Sequence, residues 1–226
     1  MPLSRPDFSM YVVHFTKDAH PISSDMPGVD LGSITSMSAK ERIFSILREQ
    51  RIMATKMPWT NKPAVCFTEC TWPSLMGHAQ RYSTYGVGFR KEFLFAAGGG
   101  PAFYMPPHIL KRQKDHVGGD KVPFDPQLYS FLTPFVPFYA PQAYKDEHWN
   151  GKSPVDFSHE REWRVPHDLV FTTDRVQFVL VDTYEDMAQA PKELKDAVGR
   201  EKWIIMSVYR KIEELWPTHQ LPEKEA

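Results

Sequence analysis

Cysteine is scarce in this sequence, and long apolar runs are absent. Only Cys66 and Cys70 occur among 226 residues, and no second Cys or His pair at zinc-site spacing accompanies them, which favours structural thiols over a metal site. No stretch reaches the roughly 18 to 20 apolar residues that a membrane helix needs, and the N-terminal residues lack the apolar block of a signal peptide. We therefore expect a cytoplasmic protein with no bound metal and no membrane partner.

An excess of charge is also missing, and glycine is rare. The formal net charge is −1 and the pI is near 6.8, so no basic field over the whole protein attracts nucleic acid, although a local patch would still do so. The chain has 12 glycines against 20 prolines, which favours short elements joined by stiff loops. The glycines at 98–100 lack the helix and the Lys-Ser/Thr pair of a phosphate loop, and they predict a turn.

Strand and helix patterns together predict an α+β fold. Stretches rich in β-branched and aromatic residues indicate strands, and apolar residues at helical spacing indicate helices, the first of them with a capping-box pattern at Ser38 and Glu41. The expected strands are 9–16, 64–68, 102–105, 162–165, 169–172, 176–181 and 203–209, and the expected helices are 38–54, 72–81 and 184–198. The lack of strict βαβ alternation argues against a doubly wound sheet.

The chain shows no obvious boundary between domains. No repeat, low-complexity tract or flexible linker divides it, so the sequence predicts a single domain over residues 1–226. Residues 106–155 mix aromatic residues with prolines, and they fit either a helical insert or an aromatic-lined loop. Residues 217–226 predict a frayed tail.

The segment that most suggests chemistry is 156–165, with the sequence Asp-Phe-Ser-His-Glu-Arg-Glu-Trp-Arg-Val. On a strand, Glu160, Glu162 and Arg164 share one face, so two carboxylates and a cation project together. The same alternation is typical of the solvated face of an antiparallel strand. The pattern alone leaves both interpretations open.

Four short motifs, taken in chain order, resemble the ADP-ribosyltransferase superfamily. They are the segments 14–16 (His-Phe-Thr), 65–69 (Val-Cys-Phe-Thr-Glu), 102–104 (Ala-Phe-Tyr) and 161–165 (Arg-Glu-Trp-Arg-Val). With the segments 85–89 (Tyr-Gly-Val-Gly-Phe) and 156–157 (Asp-Phe) added, the pattern looks like the bacterial abortive-infection AbiGi-type family over about residues 11–181. A more distant likeness to the DNA-modifying DarT toxins rests on the same start and the late Glu. The resemblance implies an ADP-ribosyltransferase-like fold, with two small packed antiparallel or mixed sheets and flanking helices.

The resemblance also implies an enzyme that uses NAD+ as co-substrate. It would transfer ADP-ribose to a macromolecular acceptor, nucleic acid or protein, in phage defence or a toxin system. Cleavage of the nicotinamide–ribose bond gives the sugar oxocarbenium character, which a carboxylate beside the ribose stabilises. Glu162 is expected in this catalytic role. Glu160 is expected either to orient the acceptor and take its proton, or to pair with Arg164.

The remaining predicted site residues would bind NAD+. His14 and Thr16 would contact the adenosine ribose through a ring nitrogen and a hydroxyl, with Phe15 between them. A tyrosine would stack on the nicotinamide, and a hydroxyl would hydrogen-bond its amide. The tyrosine candidates are Tyr82, Tyr85 and Tyr104, and the hydroxyl candidates are Ser74 and Thr68.

Two other hypotheses compete with the transferase. A non-catalytic antitoxin would keep an enzyme-like fold and bind a toxin partner. A metal-dependent nuclease would use Asp156, Glu160 and Glu162 as ligands for Mg²⁺, although Trp163 and Arg164 stand where a catalytic lysine usually follows such an acidic pair. Turnover of NAD+, a tightly bound partner and magnesium-dependent cleavage distinguish the three.

Overall fold

The computed structural model describes residues 8–18, 37–69, 71–117, 125–150 and 153–215. Two compact units are present: unit 1 comprises Met1–Ile52, Glu69–Phe93 and Val170–Ala226, and unit 2 comprises Met53–Thr68 and Leu94–Leu169. The predicted tail at 217–226 and Cys70 lie outside the described residues. A single domain over the whole chain stays a prediction.

The described residues combine strands and helices, which confirms the predicted α+β class. The strands are β1 (Tyr11–Phe15), β2 (Arg51–Ile52), β3 (Thr55–Lys56), β4 (Pro63–Glu69), β5 (Gly86–Arg90), β6 (Gly100–Pro101), β7 (Phe103–Met105), β8 (Leu132–Pro134), β9 (Trp163–Val165), β10 (Leu169–Val170), β11 (Phe178–Val181) and β12 (Trp203–Ile205). The helices are α1 (Ala39–Glu49), α2 (Trp72–Arg81), α3 (Lys91–Ala96), α4 (Pro107–Val117), α5 (Leu128–Phe131), α6 (Gln142–His148), α7 (Tyr184–Gln189), α8 (Lys192–Val198) and α9 (Met206–Leu215). The finer, ADP-ribosyltransferase-like arrangement stays a prediction.

Unit 1 carries a mixed sheet with the strand order β12-β11-β5-β1. Strand β5 is antiparallel to β1 and to β11, and β11 is parallel to β12. Apolar residues of the sheet pack against α2 and the start of α9 because these helices each turn an apolar side toward the strands. The buried core comprises Val13, Leu75, Ala79, Leu180 and Met206.

Helix α1 follows the local sequence signals closely. The Ser38 hydroxyl accepts a hydrogen bond from the Glu41 backbone N–H, and the Glu41 carboxylate accepts one from the Ser38 backbone N–H, which completes the predicted capping box. The helix ends earlier than predicted because Gln50 adopts a left-handed conformation with φ 52° and β2 follows at once.

Unit 2 holds β9 between two antiparallel neighbours. Strand β4 places Cys66 opposite Arg164, and β6 places Gly100 opposite the same residue. The preceding Gly99 is required here, since a Cβ at this position would lie 2.8 Å from the Leu94 carbonyl oxygen and 2.9 Å from that of Arg164. A second, parallel pair joins β7 to β8. The segment 156–165 therefore leads into a strand that has a neighbour on each side.

Several predicted boundaries are wrong. Residues 206–209 begin α9 instead of extending β12. The expected helix at 184–198 is two helices, because Ala190 is extended (φ −60°, ψ 139°) before Pro191, and a residue that precedes proline avoids the helical conformation. Residues 106–155 contain α4, α5, β8 and α6, so the helical-insert alternative describes this region better than the aromatic-lined loop.

Candidate functional site

The segment 156–165 is a turn followed by a strand, so it does not form the continuous strand whose face was predicted to carry the charged residues. Ser158–Glu160 form a 3₁₀ turn, Arg161 adopts a left-handed conformation with φ 44°, and β9 begins only at Trp163. The Asp156 carboxylate holds the turn by accepting hydrogen bonds from the Ser158 hydroxyl at 2.6 Å and backbone N–H at 3.1 Å. These bonds also lower the pKa of Asp156. The prediction that Glu160 shares a strand face with Glu162 and Arg164 is therefore wrong.

Glu162 and Arg164 do lie on one side and form a buried ion pair. The Arg164 Nε donates to Glu162 Oε1 at 2.9 Å, and its Nη2 donates to Oε2 at 2.7 Å. The Arg164 side chain is 1 % exposed and that of Glu162 is 10 % exposed. This two-pronged geometry is the one in which guanidinium and carboxylate match best. The ion pair with Arg164 that was expected as an alternative for Glu160 is formed by the neighbouring carboxylate, Glu162.

The other donors of Arg164 bind the chain around β8. Its Nη1 donates to the carbonyl oxygens of Ser130 at 3.0 Å and Leu132 at 3.2 Å, and its Nη2 donates to the Thr133 hydroxyl. A guanidinium has five N–H groups, and all five have an acceptor here. Although burial acts to lower the pKa of Arg164, hydrogen bonding to Glu162 and its charge outweigh that effect and raise the pKa.

The charge of Glu162 also affects the pKa of two further polar groups. Burial, together with that charge, raises the pKa of the Cys66 thiol and of the Tyr104 hydroxyl well above their ordinary values. Both groups are therefore protonated near neutral pH. The Tyr104 hydroxyl donates to the Phe157 carbonyl oxygen at 3.0 Å. Cys66 is consequently an unreactive thiol, because only the thiolate is a strong nucleophile.

Four of the predicted NAD+ contacts lie together in unit 1. The rings of Phe15 and Tyr82 stack with centroids 5.8 Å apart and an interplanar angle of 12°, and the Lys17 ammonium lies 4.1 Å from the Tyr82 ring centroid. The buried Thr16 hydroxyl donates to the Ala39 carbonyl oxygen at 2.8 Å, and its backbone N–H donates to Tyr85 at 3.0 Å. These side chains form a compact group, and the Thr16 hydroxyl in it already has a partner within the chain.

Tyr85 belongs to a second polar cluster, around Asp186. The Asp186 carboxylate accepts hydrogen bonds from Tyr85 Oη at 3.0 Å, from Lys40 Nζ at 3.1 Å and from the Thr183 hydroxyl at 2.9 Å. Burial acts to raise the pKa of Asp186, but these donors outweigh it and lower the pKa. Burial and the bond to Asp186 raise the pKa of Tyr85. Asp186 also closes a capping box at the start of α7, so this cluster has a structural role.

The predicted site residues fall into two groups and some single positions. Glu162 and Tyr104 lie in the Arg164 cluster of unit 2, whereas Phe15, Thr16, Tyr82 and Tyr85 lie together in unit 1. His14 lies on β1 and Thr68 is buried on β4. Ser74 lies on α2, and its side chain is outside the described part of the chain. The sequence did not predict Cys66, Ser130 and Thr133 as neighbours of the Glu162–Arg164 ion pair. The ion pair itself was indicated only by the Glu-x-Arg alternation.

Within the described residues, no group of three or more His, Cys, Asp and Glu side chains is arranged to hold a metal ion. The nuclease hypothesis stays a prediction. Across the same ranges, no helix combines the length and the apolar character needed to cross a membrane.

Comparison with known families identifies the chain at the level of a family. Fold and site define an α+β protein with a buried carboxylate–guanidinium pair at strand β9. A family model described as "Putative abortive phage resistance protein AbiGi, antitoxin" matches residues 35–196, and the chain belongs to this AbiGi family. The resemblance to the AbiGi-type family is thereby confirmed, while the wider ADP-ribosyltransferase superfamily stays a prediction. No curated protein and no solved structure matches the chain.

Proposed function

We propose that this protein is the antitoxin of a phage-defence pair and acts by binding its toxin, without catalysing a reaction. The observation that carries the proposal is the state of Glu162, whose two carboxylate oxygens both accept hydrogen bonds from Arg164. The family description, which names an antitoxin, supports the same conclusion. Under this proposal, the antitoxin and its toxin act in the cytoplasm, and the toxin is the principal partner of this protein.

A catalytic carboxylate must be able to direct its negative charge at the reacting sugar. To stabilise an oxocarbenium ion, it has to direct its charge at the sugar more strongly in the transition state than in the ground state. The charge of Glu162 is compensated by a guanidinium at 2.7–2.9 Å. Releasing the carboxylate would leave Arg164 buried without its counter-ion, which costs several kcal/mol. This pair therefore fits a structural role better than a catalytic one.

The test is neutralisation of a toxin. A toxin without its antitoxin arrests its host, so the two must be inherited together, and the reading frames that flank the gene of this chain are the first candidates. Each flanking product is expressed alone and then with this chain. We expect one product that arrests growth alone, is tolerated with this chain and copurifies with it. If every arresting product stays toxic and unbound, the proposal is wrong.

A second candidate function is ADP-ribosyl transfer from NAD+ to a nucleic acid or protein acceptor. The observation that favours it is the grouping of Phe15, Thr16, Tyr82 and Tyr85 in unit 1, since these residues are all expected nucleotide contacts. Glu160, the second predicted catalytic residue, is not part of the two-pronged pair; it is buried, and its Oε1 lies 3.9 Å from His159 Nε2.

Labelled NAD+ separates the two candidates. The protein is incubated with NAD+ and, in separate reactions, with DNA, RNA or protein acceptors, and nicotinamide release and label transfer are measured. A binding antitoxin releases no nicotinamide. Transfer by the wild type that Glu162→Gln or Glu160→Gln abolishes, in a variant that circular dichroism shows to be folded at the assay temperature, would establish the transferase and refute the antitoxin proposal.

A further inference from the structure

An exposed pair of aromatic rings lies on a turn of unit 2. Phe138 and Tyr139 are 75 % and 67 % exposed, and their ring centroids are 5.2 Å apart. Apolar surface left in water contributes nothing to folding stability. Single exposed apolar residues are common, but adjacent large rings at one point are typical of contact sites.

The turn that carries these rings is held in one conformation. Pro137 and Pro141 flank it, and proline fixes its own φ angle. The Ala140 backbone N–H donates to the Pro137 carbonyl oxygen at 3.0 Å and closes the turn. The Lys145 ammonium donates to the Phe138 carbonyl oxygen at 2.7 Å. A contact that is already ordered loses little entropy on binding, so such a turn is suited to tight association.

The geometry and the nearby charges favour a protein over a nucleic acid as the partner. The two rings meet at 83°, whereas successive bases that stack on aromatic side chains need faces that they can lie flat against. Helix α6 begins at Gln142, directly after the turn. It exposes two carboxylates, Asp146 and Glu147, and it carries one lysine, Lys145. The local negative charge of α6 repels phosphates and attracts basic side chains.

We infer that the Phe138–Tyr139 turn inserts into an apolar pocket of the toxin, and that basic side chains of the toxin surround this pocket and face α6. The inference rests on the proposed function, because it names the surface through which the antitoxin binds. It concerns residues within 35–196, the range that matches the AbiGi family.

The experiment uses the purified flanking-frame product that arrests growth and the full chain. Dissociation constants are measured by calorimetry for wild type, for the double variant Phe138→Ser with Tyr139→Ser, and for Phe95→Ser. Phe95 is a matched control, since it is 72 % exposed and also lies in unit 2. We expect the double variant to bind roughly 100-fold or more weakly, as for central aromatic contacts, and the control to change by less than about 3-fold.

The charge contribution is tested separately with Asp146→Lys and Glu147→Lys combined. Charges at the rim of an interface act mainly on the association rate, so the association rate should fall by roughly 10-fold at low salt, and the difference from wild type should shrink as added salt screens the charges. All variants replace exposed side chains, and unfolding curves that coincide with that of wild type show that they are folded.

Each outcome decides the inference. If wild type and the double variant bind the toxin equally, the turn is not the contact, although the antitoxin proposal stands. If wild type binds no toxin, the proposed function fails and the inference fails with it. If wild type instead binds a labelled single-stranded oligonucleotide and the double variant does not, the turn is a nucleic-acid surface and the inference is overturned.

Discussion

Arg164 connects two parts of unit 2 through one side chain. It binds Glu162, the residue that directly precedes β9, and it also binds the carbonyl oxygens and hydroxyl of the chain around β8. Removal of a buried charged group leaves its partners unpaired, and this penalty commonly exceeds the net contribution of the pair. Substitution of either member of the pair should therefore destabilise the protein.

Arg164→Met should lower the free energy of unfolding by about 3–5 kcal/mol. It leaves the Glu162 carboxylate without a counter-ion and the Thr133 hydroxyl and two carbonyl oxygens without their donor. Glu162→Gln leaves the buried Arg164 guanidinium without its counter-ion and sets a side-chain NH2 group against one of its N–H donors, so it should cost a comparable amount, about 3–5 kcal/mol. Urea unfolding followed by tryptophan fluorescence measures both changes, and a loss below about 1 kcal/mol for both variants would contradict the structural role of the pair.

Asp186 should make stability depend on pH in the acid range. Its pKa is lowered in the folded protein, against about 3.9 in an unfolded chain. A group with a depressed folded pKa contributes stability that is complete above its unfolded pKa and is lost as the pH falls through the folded pKa. Asp186→Asn should thus be less stable than wild type at pH 7, with a difference that narrows below about pH 4. Urea titrations at pH 7, 5 and 3.5 test this, and a constant difference would refute it.

At the scale of elements, the contact between β5 and β11 depends on a glycine. A Cβ on Gly88 would collide with the ring of Phe178, which lies opposite it in the sheet. Gly88→Ala should therefore destabilise the protein by about 1–3 kcal/mol through overpacking. Adding Phe178→Leu should recover part of this loss.

Gly77 provides the matched control for this substitution. It lies in α2, and a Cβ there would meet nothing within 4 Å. Gly77→Ala should raise stability by about 0.5–1 kcal/mol, because alanine restricts the unfolded chain and favours helix. Thermal unfolding of the two variants compares the effects, and equal melting temperatures would contradict the crowding at Gly88.

The elements that could be predicted from sequence are those with local signals. The Ser38 cap of α1 needs only Glu41, three residues away. In contrast, Ser130 is 34 residues from Arg164, and no short-range pattern joins them. Residues 206–209 resemble a strand in composition because of Val208 and Tyr209, yet they begin a helix. The left-handed backbone conformation of Arg161 could not be predicted from the sequence, because residues other than glycine rarely adopt it.

At the scale of the whole molecule, the two units allow a test of the single-domain prediction. Gly88→Ala acts in unit 1 and Arg164→Met acts in unit 2. If the chain unfolds as one domain, both variants shift one common transition, detected at the same urea concentration by fluorescence and by circular dichroism. Two separate transitions, each moved by one variant alone, would show that the units are independent domains.

The nesting of the units in the chain also sets the order in which they are synthesised. Every residue of unit 2 has been made once the ribosome passes Leu169. The sheet of unit 1 still lacks β11, which pairs with β5, and β12 beyond it. If unit 2 is an independent domain, it folds as its chain emerges, and the Phe138–Tyr139 turn is complete while translation continues. Under the proposed function, the turn would then be ready to engage the toxin before the chain leaves the ribosome, which would shorten the interval in which free toxin acts.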